Sequence, residues 1–151
     1  MRRPDLSITF HRIADRPDFS SWTAVRRTGG RISGGYTPIG RGRIPGDLAH
    51  LAVEAHFGLD HGFWGLLAKG ATFDHGTDQR PTRTGRAIVA EHRAQLADAD
   101  RLAHRHQTLW ARGEPTPVAS AFDELEAAWS AVEPGGSLSA TWPFDAAAVA
   151  A

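Results

Sequence analysis

Cysteine is missing from this chain altogether. Its absence excludes disulfides, thiolate metal sites and cysteine nucleophiles, so any metal has to be held by His, Asp, Glu or backbone. An excess of charge of either sign is missing too. The 17 basic and 17 acidic residues cancel when the eight histidines are counted neutral. This argues against a nucleic-acid partner or an acidic membrane surface, both of which need a net basic patch. Lysine is nearly absent: Lys69 stands alone among arginines, a bias expected of a GC-rich bacterial source. No apolar run approaches membrane-spanning length, and the first ten residues lack the apolar core of a signal peptide. The expectation is a cytoplasmic protein with no membrane partner. A Walker loop, a G-x-G-x-x-G fingerprint, a G-x-S-x-G elbow, an H-E-x-x-H motif and an internal repeat are also lacking.

What is present suits one packed domain. The chain has 151 residues, 41% of them hydrophobic, with five Trp and seven Phe; that length supports a real core. Residues 1–144 read as a single globular domain, and 145–151 as an Ala-rich flexible tail. Leu6, Ile8 and Phe10 alternate with Ser7, Thr9 and His11, the period of a half-buried strand. A second strand over 19–27 places Trp22 and Ala24 on one face, and a poor third strand lies over 32–36. Leu138, Ala140, Trp142 and Phe144 alternate with Ser137, Ser139 and Thr141, a closing strand that should return to the N-terminal ones.

Helices are expected over about 47–57, 60–69, 85–112 and from Pro117 to Val132. Gly58 fits a left-handed C-terminal position, with Leu59 folding back in a Schellman ending. Asp60 suits the N-cap of the second helix, and Thr116 with Pro117 the start of the fourth. Val118, Phe122, Leu125, Trp129 and Val132 form a packing stripe. The fold class is therefore α+β: a small antiparallel sheet from both chain ends, in the order β-β-(β)-α-α-α-α-β, packed on about four helices.

The stretch Ile44 to Phe57 is where chemistry-bearing residues meet an apolar helix. Asp47, His50 and Glu54 fall within roughly 60° on a wheel of about 100° per residue. Apolar residues flank that stripe on both sides: Leu48, Leu51, Ala52 and Ala55 on one, Val53 and Phe57 on the other. A solvated face would sit opposite a single apolar face, so the stripe points to a cleft or interior. Buried acids are costly unless paired or coordinated. Three readings fit. Asp47 caps the helix while His50 and Glu54 pair at i, i+4. Or Asp47, His50 and Glu54, with His75, hold one divalent metal such as zinc, iron or manganese. Or His50 acts as a general acid/base oriented by Glu54 or Asp47, making these three the catalytic candidates.

Other candidates are looser. Asp74 and His75 lie in a long loop, 71–84, and are the best residues to complete the site; His61 is a weaker one. Arg26, Arg27, Arg31, Arg41 and Arg43 with the nearby glycines could cradle an anion, although a solvated loop is the plainer reading. Gly62 and Gly65 sit in a helix that would be better without them, either for close packing or to leave space beside Trp64. His92 and His106 share the apolar face of the long helix about 21 Å apart, too far to share an ion.

The run P-x-D-L-x-H-x-x-V-E (Pro45, Asp47, Leu48, His50, Val53, Glu54), the later Gly62-Phe63-Trp64-Gly65-Leu66 and the closing Trp142-Pro143 resemble an uncharacterised bacterial family. In that family an N-terminal hairpin precedes the helix and a W-P strand closes the chain. Gly46 departs from its pattern, which has His there. The resemblance covers most of the chain in outline and implies no activity; it draws attention to Asp47, His50 and Glu54. The absence of a strong motif favours a non-enzymatic binding or interaction protein, monomeric or homodimeric, with a small-molecule ligand. The alternatives are a metal-dependent hydrolase-type enzyme and a metal-free acid/base enzyme acting on a small molecule.

Overall fold

A computed structural model describes residues 3–39, 43–145 and 149–150. The expected α+β architecture is present. Strand β1 (Leu6–Arg12) lies centrally in an antiparallel sheet of order β3-β2-β1-β5, formed with β2 (Phe19–Arg26), β3 (Arg31–Ser33) and β5 (Ser137–Trp142). Its register puts Ile8 opposite Ala24 on one side and Ala140 on the other, and Phe10 opposite Trp22 and Leu138. All six of these apolar residues are buried, so the period-2 pattern gives the sheet one apolar face against the helices. The third strand ends at Ser33. Gly34 bridges to Thr77, and Ser33 exchanges hydrogen bonds with Asp78. A two-residue strand, β4 (Thr37–Pro38), pairs with the start of β2 in what reads as loop by sequence. At the chain end, Ala150 pairs with Ser139 and Val149 packs on the core. The tail thus returns to β5 at these two residues, while 146–148 lie outside the described residues.

Helix α1 (Gly46–His56) packs against α2 (Phe63–Ala68), α4 (Arg93–Ala111) and α5 (Ala119–Ser130), as the central helix of that layer. Its Schellman ending forms as expected: Gly58 has φ +66°, Leu59 N–H donates to Glu54 O at 2.8 Å, and Gly58 N–H to Ala55 O at 3.3 Å. No side chain caps its start, so Asp47 sits in the first turn without serving as a cap.

The expected long helix is two. α3 (Arg83–Glu91) and α4 meet at His92, whose φ −113° and ψ 23° interrupt the helical run. No Gly or Pro marks the break. The His92 ring stacks on His61, with centroids 4.0 Å apart and planes 4° from parallel. α3 begins two residues earlier than expected because Thr82 caps it, accepting from Gly85 N–H at 2.9 Å. α5 begins at Ala119, two residues later than expected: Val118 and not Thr116 holds its N-cap position, and Thr116 O accepts from Ala119 N–H at 3.1 Å in the turn before it. Its stripe of Val118, Phe122, Leu125, Trp129 and Val132 is buried throughout. No helix among the described residues is long and apolar enough to cross a membrane.

Candidate functional site

The polar stripe of α1 splits into two ends with different surroundings. At the C-terminal end Glu54 is fully buried. Its carboxylate accepts from Trp64 N–H at 3.1 and 3.3 Å, from Gly65 N–H at 3.3 Å, and from His50 Nδ1 at 3.3 Å. Trp64 and Gly65 occupy the first turn of α2, whose orphan amides and positive dipole end suit a carboxylate. Glu54 therefore caps α2 from outside, and Asp60 does not: Gly62 holds the N-cap position. The spacing explains both glycines. A Cβ on Gly62 would lie 2.4 Å from the Glu54 carboxyl carbon, and one on Gly65 2.1 Å from Asp60 O. At the other end of α2, Arg26 donates to Leu67 O at 2.8 Å and Ala71 O at 3.2 Å. A helix of six residues is thus held by an acid at its N-terminus and a base at its C-terminus, both from other elements.

His50 links α1 to α4. Its Nε2 lies 3.0 Å from Asp100 Oδ1 while Nδ1 faces Glu54. Both partners, when ionised, only accept, so satisfying both requires both ring nitrogens to carry protons. Burial pushes the His50 pKa down, but the hydrogen bonds and charges of Glu54 and Asp100 outweigh it and leave it raised. The geometry and the direction of the pKa shift both favour the doubly protonated ring. Asp100 was not among the expected residues. Its signal was its position on the shoulder of the apolar stripe, four residues after Leu96 and three before Ala103.

At the N-terminal end Asp47 is different. Its backbone carbonyl accepts from Trp64 Nε1 at 2.9 Å, but its carboxylate has no hydrogen bond or ion pair among the described residues. Burial raises its pKa, partly offset by His50. Asp47 lines a cavity of about 470 Å³ together with His50, Asp100, Phe63, Phe73 and Leu96. His75, Ala97 and Arg93 complete the lining. The apolar wall is built from inside: Phe10 packs edge-on to Trp64 at 5.9 Å, Trp64 to Phe63 at 4.9 Å, and Phe63 against Phe73 at 4.9 Å. The fold thus brings Asp47, His50 and His75 to one cavity, with Glu54 just behind His50.

The remaining candidates stand elsewhere. Asp74 turns to Arg86 at 2.9 Å. His61 is occupied by His92, and His106 Nδ1 meets Thr116 Oγ1 at 2.8 Å. Among the described residues the arginines stand apart: Arg26 caps α2, Arg27 faces Asp5 at 3.6 Å, Arg31 is exposed on β3, and Arg43 pairs with Glu126 at 3.1 Å over the Trp110 ring. Arg41 lies outside the described residues. A second cavity of about 470 Å³ beside Pro38, Ile39 and the C-terminal half of α4 has no carboxylate in its described lining. Among the described residues, no three His, Asp or Glu groups come together as a metal-ligand set. No family model, curated protein or solved structure matches this chain.

Proposed function

We propose that this protein works by binding a small molecule in the cavity between α1 and α4. The observation that carries this reading is the make-up of the cavity: one polar edge of Asp47, His50 and Asp100, and an apolar wall of Phe63, Phe73 and Leu96. Its volume falls in the range of small-molecule sites, which pair an apolar lining with a few orienting polar groups. His50 serves as a fixed part of the wall, since both its nitrogens are committed. The test is a ligand-observed NMR fragment screen on the protein and on Ala97→Trp, which fills the cavity from an exposed helix position. Fragments that bind the parent and are lost from the variant support the reading. Binding that ignores Ala97→Trp, or no binding at all, overturns it.

A second reading has one specific support. The imidazolium of His50 borders the cavity, and its Nε2 partner Asp100 is 76% exposed and free to swing away. His50 would then present a proton to a bound substrate as a general acid, with Glu54 orienting the ring. Lost turnover with retained ligand binding in His50→Gln would distinguish this enzyme from a simple binder. A divalent ion on Asp47, His50, Glu54 and His75 is the third proposal. It requires Glu54 to give up the α2 amides that now hold it. Elemental analysis of protein purified without chelator, beside His50→Ala, tests it: a near-stoichiometric ion lost in the variant supports it.

A further inference from the structure

The charge left over inside the cavity narrows the ligand class, an inference that rests on the binding reading above. Three carboxylates, Asp47, Glu54 and Asp100, surround one imidazole. Glu54 is satisfied by amides and by His50 Nδ1, and Asp100 is satisfied by His50 Nε2. Both nitrogens of His50 are spent, so none remains for Asp47. Asp47 lines the cavity, and its carboxylate has no hydrogen bond or ion pair among the described residues; the charge of the neighbouring His50 offsets only part of the cost of burying it. Burying an unpaired acid is costly, and a partner of opposite charge removes most of that cost. The facing wall is aromatic, Phe63 and Phe73, which suits an apolar body and attracts a cation through the ring faces.

We propose that the cavity binds an organic ammonium ion: a primary amine on an apolar body, its charged head on Asp47 and its body against Phe63, Phe73 and Leu96. Arg93 stands on the first turn of α4 and also lines the cavity, so an anionic ligand is the competitor to beat. The two acids of the lining, Asp47 and Asp100, decide for the amine. An anion would meet Asp47 and Asp100 across the same space, and Arg93 is exposed on a flexible stem.

The experiment compares three probes of one shape: phenethylamine, 2-phenylethanol and 3-phenylpropionate. Binding is read by chemical-shift changes at Leu96 and His50, both in the cavity lining, in the parent, in Asp47→Asn and in Ala97→Trp. Phenethylamine is expected to bind best. Asp47→Asn should weaken it by about tenfold or more, the worth of one charge-assisted hydrogen bond, and Ala97→Trp should abolish it. Acidification that protonates Asp47 should weaken it as well. The inference is overturned if the alcohol or the carboxylate binds as well as the amine, or if Asp47→Asn leaves the amine unchanged. In those cases loss in Ala97→Trp shows that the cavity still binds and only the ligand class was wrong. Should no probe bind while other fragments are lost from Ala97→Trp, the amine class alone fails. Should nothing bind in the cavity at all, the binding reading fails with it.

Discussion

Glu54 and Asp47 are carboxylates on one helix, two turns apart on nearly the same face, and the fold treats them in opposite ways. Glu54 is sealed from water yet fully partnered: two amides of α2, one imidazole nitrogen, and a glycine that makes room for it. Asp47 keeps contact with a cavity and has no partner for its carboxylate among the described residues. A buried acid with partners organises structure. One without partners costs stability and is kept where it meets something that the folded chain does not supply. The difference separates the fold-holding half of the stripe from the half that borders a cavity.

Removing Glu54 should break this division most. Glu54→Ala leaves the first-turn amides of α2 and His50 Nδ1 unpartnered in a sealed site, and a loss of about 3–5 kcal/mol is expected from the cost of breaking a buried charged pair. Urea denaturation measures it; a loss under about 1 kcal/mol would mean that Glu54 is no more than a surface-like acid. Gly62→Ala attacks the same contact from the other side. Its Cβ would meet the carboxyl group, and an overpacking cost of about 1–3 kcal/mol follows. If this variant were as stable as the parent, the fit between Gly62 and Glu54 would be looser than described.

Asp100→Asn sharpens the comparison rather than breaking it. Asp100 is largely exposed, so its loss should cost only about 0.2–1 kcal/mol. The sign of its pH dependence is the more informative part. The His50 pKa is raised on folding. Its contribution is therefore fully present below the unfolded value of about 6.5 and is lost as pH rises through the folded value. The stability gap between parent and Asp100→Asn should be widest at mildly acid pH, below about 6.5 but above the range where the carboxylate protonates, and should close as pH rises through the folded value. A gap that widens with rising pH would refute the imidazolium bridge.

Much of this was legible in the chain. Alternation placed β1, β2 and β5, and residues such as Gly58 and the Phe122–Trp129 stripe marked an ending and a core face by local stereochemistry alone. The His50–Glu54 pair followed from i, i+4 spacing. What the chain could not show was tertiary. Asp100 reaches His50 from another helix, and Glu54 caps a helix that starts nine residues later. Gly62 and Gly65 announced a close approach without saying to what. The break at His92 carries no Gly or Pro to announce it, and the His61 ring stacked there comes from a different loop. β4 is too short to show a period.

The most direct test sets Asp47→Asn beside Glu54→Gln in thermal melts at pH 7. Each change removes one charge and keeps the shape. Asp47→Asn relieves an unpaired, partly buried carboxylate whose pKa is raised by burial, so at neutral pH it should melt higher than the parent, by about 0.5–2 kcal/mol in stability. Glu54→Gln puts an amide NH₂ among donors and should melt lower. Opposite signs would establish one acid kept for a ligand and one spent on the fold. Two losses of similar size would contradict the account and make the whole stripe part of the fold.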